Sequence, residues 1–204
     1  MGRAEQAEAS RATLLASARA CFAEHGYDAT TVAEVLRRAG MARGALYHYF
    51  PGGKDELFAA VYREVDDELY RRVDALPPAS PLVQLRQSAE VFLRLCVRDD
   101  FARITVLEGP RVMAAASPHG SVLGRSYARM REGVGAAIDA GELAPVDVDT
   151  LTTALYGAVR DLGARVATAS PRSRRRAADE ALVVVDHLLD GLAADRHHHR
   201  QETA

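Results

Sequence analysis

The residues with the greatest capacity for chemistry stand together in Arg43-Gly44-Ala45-Leu46-Tyr47-His48-Tyr49-Phe50, followed after Pro51-Gly52-Gly53 by Lys54. In a short helix Leu46 and Phe50 lie at i,i+4 and face inward, which leaves Arg43, Gly44, Tyr47 and His48 largely outside. Arginine binds guanine bidentately, Gly44 and Ala45 allow close approach to base edges, and Tyr47, His48 and Tyr49 can donate to phosphate oxygens. Lys54 is the single lysine of the chain. At a helix start its charge opposes the dipole, but beside free backbone N–H groups it makes a phosphate clamp. The competing readings are an ordinary helix corner whose aromatics are core, and a solvated loop lysine.

These residues need a rigid support, and the preceding segment supplies one. Thr31-Val32-Ala33-Glu34 reads as a capping box, with Thr31 also a candidate DNA contact. Val32, Val35, Leu36 and Ala39 share one face, Arg37 and Arg38 suit the helix C-terminus, and Gly40 suits its left-handed cap. A second helix from Ala42 or Arg43 to Phe50 follows, broken by Pro51-Gly52-Gly53. Helix, glycine turn and helix is the arrangement that lays a recognition helix in the major groove.

At these residues the chain resembles the tetracycline-repressor (TetR) family of one-component transcriptional regulators. The resemblance is carried by Phe22-Ala23-Glu24-His25-Gly26-Tyr27-Asp28-Ala29-Thr30-Thr31-Val32, by Ala39-Gly40-Met41-Ala42-Arg43-Gly44-Ala45-Leu46-Tyr47-His48-Tyr49-Phe50 and by Lys54-Asp55-Glu56-Leu57-Phe58. It implies a homodimer with a small N-terminal DNA-binding domain. It also implies a helical C-terminal domain with an inducer pocket and a four-helix dimer interface. Ala42 stands where family members often have serine or threonine, a cap worth about 1 kcal/mol. The Pro51-Gly52-Gly53 loop is one residue longer than the commonest form.

The remainder predicts helix after helix, so the fold class is all-α, with about nine helices. One helix spans roughly Ala4 to Gly26. A long one runs from Lys54 to about Leu76, roughly 35 Å, and ends at Pro77-Pro78. Further helices are expected from Pro81 to about Arg98 and from Asp100 to Glu108. An irregular stretch follows Gly109-Pro110 as far as Pro118-His119-Gly120, and Ser121 to Ala140 is helical again. The last two helices run from Asp147 or Asp149 to Thr168, and from Ser170-Pro171 onward. Sustained period-two alternation, the mark of strands, is absent. The domain division expected is 1–53 for DNA binding, 54–195 for ligand binding and dimerisation, and 196–204 as a disordered tail.

On the last two helices Leu151, Leu155, Ala158, Leu162, Leu182, Val185, Leu188 and Leu189 make broad apolar faces, as an isologous dimer interface requires. The same faces could simply complete a monomer core. Tyr62, Arg94, Glu108 and Tyr127 are candidates for the few polar groups of a ligand pocket.

Charge is distributed to match. Net charge is −2, which does not suggest a general nucleic-acid binder. Residues 1–54 carry seven Lys/Arg and five Asp/Glu, and residues 55–204 carry nineteen and twenty-three, so the N-terminal end is the positive one. The chain is 48% hydrophobic without a run approaching the ~20 residues of a membrane span. The N-terminus has no signal-peptide pattern, and Cys21 and Cys96 read as buried reduced thiols. A cytoplasmic protein is expected. No phosphate loop, nucleophile elbow or metal-ligand histidine pair is present in an ordered segment. Accordingly no catalytic residue, cofactor or metal site is expected, and His197-His198-His199 read as an adventitious site. The reading weighed against these is a constitutive DNA-binding protein. About 140 residues beyond the DNA-reading module are more than dimerisation alone requires. The partners expected are therefore a double-stranded DNA operator, a small-molecule inducer and a second copy of the chain, with no membrane.

Overall fold

The computed structural model describes residues 2–116 and 123–194, and all regular structure among them is helical. Helices α1 (Arg3–Ala29), α2 (Val32–Ala39) and α3 (Arg43–Tyr49) form an N-terminal head. Helix α4 (Gly53–Asp74) leaves it and runs into the larger bundle. That bundle holds α5 (Pro81–Leu95), α6 (Asp99–Phe101), a π-helix (Ala102–Glu108), α7 (Gly109–Ala116), α8 (Leu123–Asp139), α9 (Val148–Thr168) and α10 (Arg174–Leu192).

Local chemistry sets the boundaries. Thr31 Oγ1 accepts the Glu34 N–H at 3.2 Å, but only half of the expected capping box forms. The Glu34 carboxylate instead stands 3.1 Å from His25 Nε2. Gly40 takes the left-handed conformation (φ 66°), and Met41 N–H returns to the Leu36 carbonyl at 2.9 Å. Helix α3 starts at Ala42 with no side-chain cap, the consequence of alanine at that position. Asp147, rather than Asp149, caps α9, accepting the Thr150 N–H at 2.8 Å. The last helix begins at Arg174, after a turn at 171–173, and not at Ser170-Pro171.

Two departures matter for function. Helix α1 is broken at Gly26 (φ 80°, ψ 173°), a region open essentially to glycine. Residues 102–110, expected to end in a loop, instead pass through the π-helix directly into α7. Pro110 has no N–H to donate. The wider π turn before it removes the regular i−4 bonding that proline would otherwise interrupt. The expected irregular stretch around Pro118-His119-Gly120, the helix start at Ser121, and the 196–204 tail with His197-His198-His199 lie outside the described residues.

One apolar core runs from head to bundle. Phe22, Leu46, Phe50 and Phe58 fill the head, and Leu93, Leu95, Phe101 and Ile104 fill the bundle. Cys21 and Cys96 are buried free thiols, and burial pushes Cys96 up to about 12. No described helix is long and apolar enough to cross a membrane.

Candidate nucleic-acid interface and ligand cavity

The short helix α3 is held by its inward residues. Leu46 and Phe50 are buried, and Ala45 and Tyr49 are half-buried against the same core. Arg43, Gly44, Tyr47 and His48 are exposed, and the Tyr47 ring is 49% accessible. His48 and Tyr49 meet edge to face at 4.8 Å. Helix α3 therefore presents a guanidinium, a phenol and an imidazole from one rigid surface. Thr31 is exposed at the start of α2, its hydroxyl already used as the cap.

Lys54 is not a free cation. Its Nζ lies 4.4 Å from the centre of the Tyr27 ring and donates to the Asp28 carbonyl at 3.3 Å. The expected arrangement, an ammonium beside open helix N–H groups, is thus replaced by one folded back on the head. Glu56 rather than a ligand takes the Gly52 N–H at 2.7 Å.

Sequence reasoning missed the residue beneath Lys54. Tyr27 packs on Phe22 and Phe58, and its hydroxyl bonds Asp55. Burial and Asp55 raise its phenol to about 12. Its backbone N–H donates to Glu108 of the π-helix. Glu108, expected in a pocket, is instead a clamp from the bundle onto the head. A second bolt lies alongside: Arg19 of α1 donates to Asp100 and reaches Glu64 and Glu68 of α4, both at 3.3 Å. Arg98 joins Glu68 and Asp100 to the same knot.

The bundle holds a cavity of about 430 Å³ that is partly open to solvent, within the range of small-molecule sites. It lies between α4, α5, the π-helix, α8 and α9. Of the candidate pocket residues, Tyr62 lines it. Arg94 and Tyr127 do not. Arg94 is paired at the surface with Asp179, and Tyr127 bonds Thr153 Oγ1 at 3.0 Å. The polar lining comes instead from residues the sequence did not single out, among them Asp66, Tyr70, Thr105 and Tyr156. Asp66 carried a signal: it stands on α4 one turn beyond Tyr62, among Val65 and Leu69, so an acid interrupts the apolar stripe. Asp66 is 2% exposed, and burial raises its carboxyl despite Arg125 at 2.8 Å.

Among the expected interface residues, Leu151, Leu155, Val185 and Leu189 are buried within this chain. Their faces are consumed by packing of α9 and α10 on each other and on the bundle. Ala158, Leu162 and Leu182 are half-buried, and Leu188 is exposed beside Val183 and Val184. Among the described residues no group of three metal-ligating side chains occurs.

Residues 14–61 match the model of bacterial regulatory proteins of the tetR family, and residues 82–192 match the tetracyclin repressor-like C-terminal domain. An HTH-type transcriptional repressor AcnR from Corynebacterium efficiens is 49% identical over 55 residues, 27% of this chain and 29% of that protein. The match therefore spans less than a third of that relative. A TetR-family regulator from Pectobacterium atrosepticum has a crystal structure with a TM-score of 0.71 and 28% identity, covering 95% of this chain and 98% of that one. The TetR regulator TylP from Streptomyces fradiae gives a TM-score of 0.68 at 26% identity, over 95% and 90% of the two chains. The second family model alone spans more than half of the sequence, and with it this chain belongs to the TetR family of bacterial transcriptional regulators.

Proposed function

We propose that the protein is a dimeric one-component repressor that binds an inverted-repeat operator and is released by a small molecule held in the bundle cavity. One observation carries the reading. The same helix, α4, follows α3 with three residues between them and lines the cavity from Tyr62 to Val73. Whatever displaces its cavity-facing half bears on the placement of the recognition helix. The domain division follows: 1–53 reads DNA, and the helices beyond bind ligand and dimerise.

In this reading Arg43 contacts a base, while Tyr47, His48, Tyr49 and Thr31 bear on phosphates, with Gly44 and Ala45 leaving room for base edges. Lys54 reaches the backbone only by leaving Tyr27. The dimer forms through the exposed strip of α10 holding Val184 and Leu188, with Ala158 and Leu162 of α9 beside it. Two-fold symmetry then sets the recognition helices one turn of DNA apart, about 34–36 Å. Ligand weakens DNA binding by its differential affinity for the two arrangements. A protein acting on the chromosome in this way works in the cytoplasm.

The test is selection of bound fragments from sheared genomic DNA of the source organism, followed by footprinting. A protected inverted repeat supports the reading. Absence of enrichment at low salt, with dimer verified and any carried ligand removed by denaturation and refolding, refutes it.

A further inference from the structure

Resting on the ligand-responsive reading above, we infer that the cavity is built for an organic cation, an ammonium on an apolar body, seated between the Asp66 carboxylate and the surrounding tyrosine rings. Asp66 is almost fully buried and lines the cavity. Its Oδ2 accepts from Arg125 Nη2 at 2.8 Å, and among the described residues no donor reaches Oδ1. The same Arg125 nitrogen is shared with Asp67, also at 2.8 Å. Two carboxylates thus divide one guanidinium, and one negative charge is left over beside the cavity.

The other charged lining groups carry partners of their own. Arg129 pairs with Asp74 at 2.6 Å and also lies 5.2 Å from the centre of the Tyr70 ring, and Arg160 pairs with Asp161 at 3.3 Å. Glu132 also lines the cavity and makes no ion pair among the described residues. The lining residues themselves balance, Asp66 and Glu132 against Arg129 and Arg160; counted with their partners Arg125, Asp67, Asp74 and Asp161, two carboxylates are in excess.

The rings fit the same guest. Tyr62, Tyr70 and Tyr156 all line the space, and the negative face of a phenol ring attracts cations. The protein demonstrates this itself, holding the Arg125 guanidinium 3.8 Å from the centre of Tyr70. The Thr105 side chain also lines the cavity, but its hydroxyl oxygen is buried away from the open space and has no hydrogen-bond partner. The rest of the lining, including Leu85, Phe92 and Val159, is apolar and suits a hydrocarbon or aryl body.

Calorimetric titration of the full chain at pH 7 with 6-phenylhexylamine, 6-phenylhexanol and 6-phenylhexanoate tests this, since the three share a body and differ in head charge. The amine should bind about tenfold more tightly than the alcohol, with the carboxylate weakest. Asp66→Asn should abolish that preference while leaving alcohol affinity unchanged. Glu132→Gln, at an exposed position, should reduce amine affinity about twofold to threefold. This second variant decides the matter if Asp66→Asn fails to fold. Tighter binding of the alcohol or carboxylate, or binding of none of the three, overturns the inference, as does a preference that survives both substitutions. The titration uses no DNA. An amine preference without any selectable operator would therefore sink the regulator reading alone, and a selected operator without amine preference would sink only this one.

Discussion

The Glu108 carboxylate, in the π-helical turn of the bundle, accepts the backbone N–H of Tyr27, the residue following the break in α1. Three and two residues earlier in that turn, Thr105 and Val106 line the cavity. The cavity wall and the head are therefore joined through one short segment as well as through α4. Gly26 makes the contact possible, because a Cβ there would run into the Glu108 carboxylate. Gly26→Ala should destabilise the protein by about 2–3 kcal/mol, from backbone strain and collision together. Glu108→Ala should cost only about 1–2 kcal/mol and should leave operator affinity less responsive to any cavity ligand. Thermal melts with operator titrations in the presence and absence of ligand check both. Undiminished ligand response in Glu108→Ala would assign the coupling to α4 alone.

The exposed face of α3 predicts a division of labour. Arg43→Ala should cost about 1–3 kcal/mol and relax preference at one base position. Tyr47→Phe should weaken binding uniformly across sequences. Lys54→Ala should lower the salt slope by about one if its ammonium moves onto a phosphate. An unchanged slope with a lower melting temperature would show that Lys54 serves only to cover Tyr27. Fluorescence anisotropy over a salt series separates these outcomes.

Burial separates the interface from the core on α9 and α10. Val184→Glu with Leu188→Glu changes two exposed positions, so the fold should survive while like charges meet across the two-fold axis. Analytical ultracentrifugation should then find a monomer. Leu155→Glu instead places a charge in the packed interior and should cost about 3 kcal/mol or more. A dimer that persists in the double variant would move the interface elsewhere.

The knot of Arg19, Arg98, Glu68 and Asp100 predicts a pH dependence. Burial opposes the charge on both carboxylates, yet the arginines hold each below its ordinary value. Their contribution is complete above the unfolded carboxylate pKa of about 4 and is lost as pH falls through the lower folded values. Asp66, raised by burial, works the other way. Its contribution is complete below the unfolded value and is lost as pH rises through the folded one. Arg19→Met should cost about 1–2 kcal/mol at pH 7, and the deficit should shrink towards pH 3. Denaturant titrations at the two pH values measure it, and an equal deficit at both would exclude an ionic role.

Which parts of this protein were legible in the chain follows from the range of the forces involved. Thr31, Gly40, Pro81 and the Leu46/Phe50 pair act within one or two helical turns, so caps, boundaries and the outward face of α3 could be read from spacing. The all-helical class followed from periodicity for the same reason. Tertiary packing decided the rest. It turned Lys54 onto Tyr27 and sent Glu108 across to the head rather than into a pocket. It also spent Leu151, Leu155, Val185 and Leu189 on the core and left Val184 and Leu188 outside. It gathered Asp66, Thr105 and Tyr156, each on a different helical element, around one cavity. Helical periodicity states that a face is apolar. What covers that face, and which distant charge a buried carboxylate meets, depends on how the helices cross.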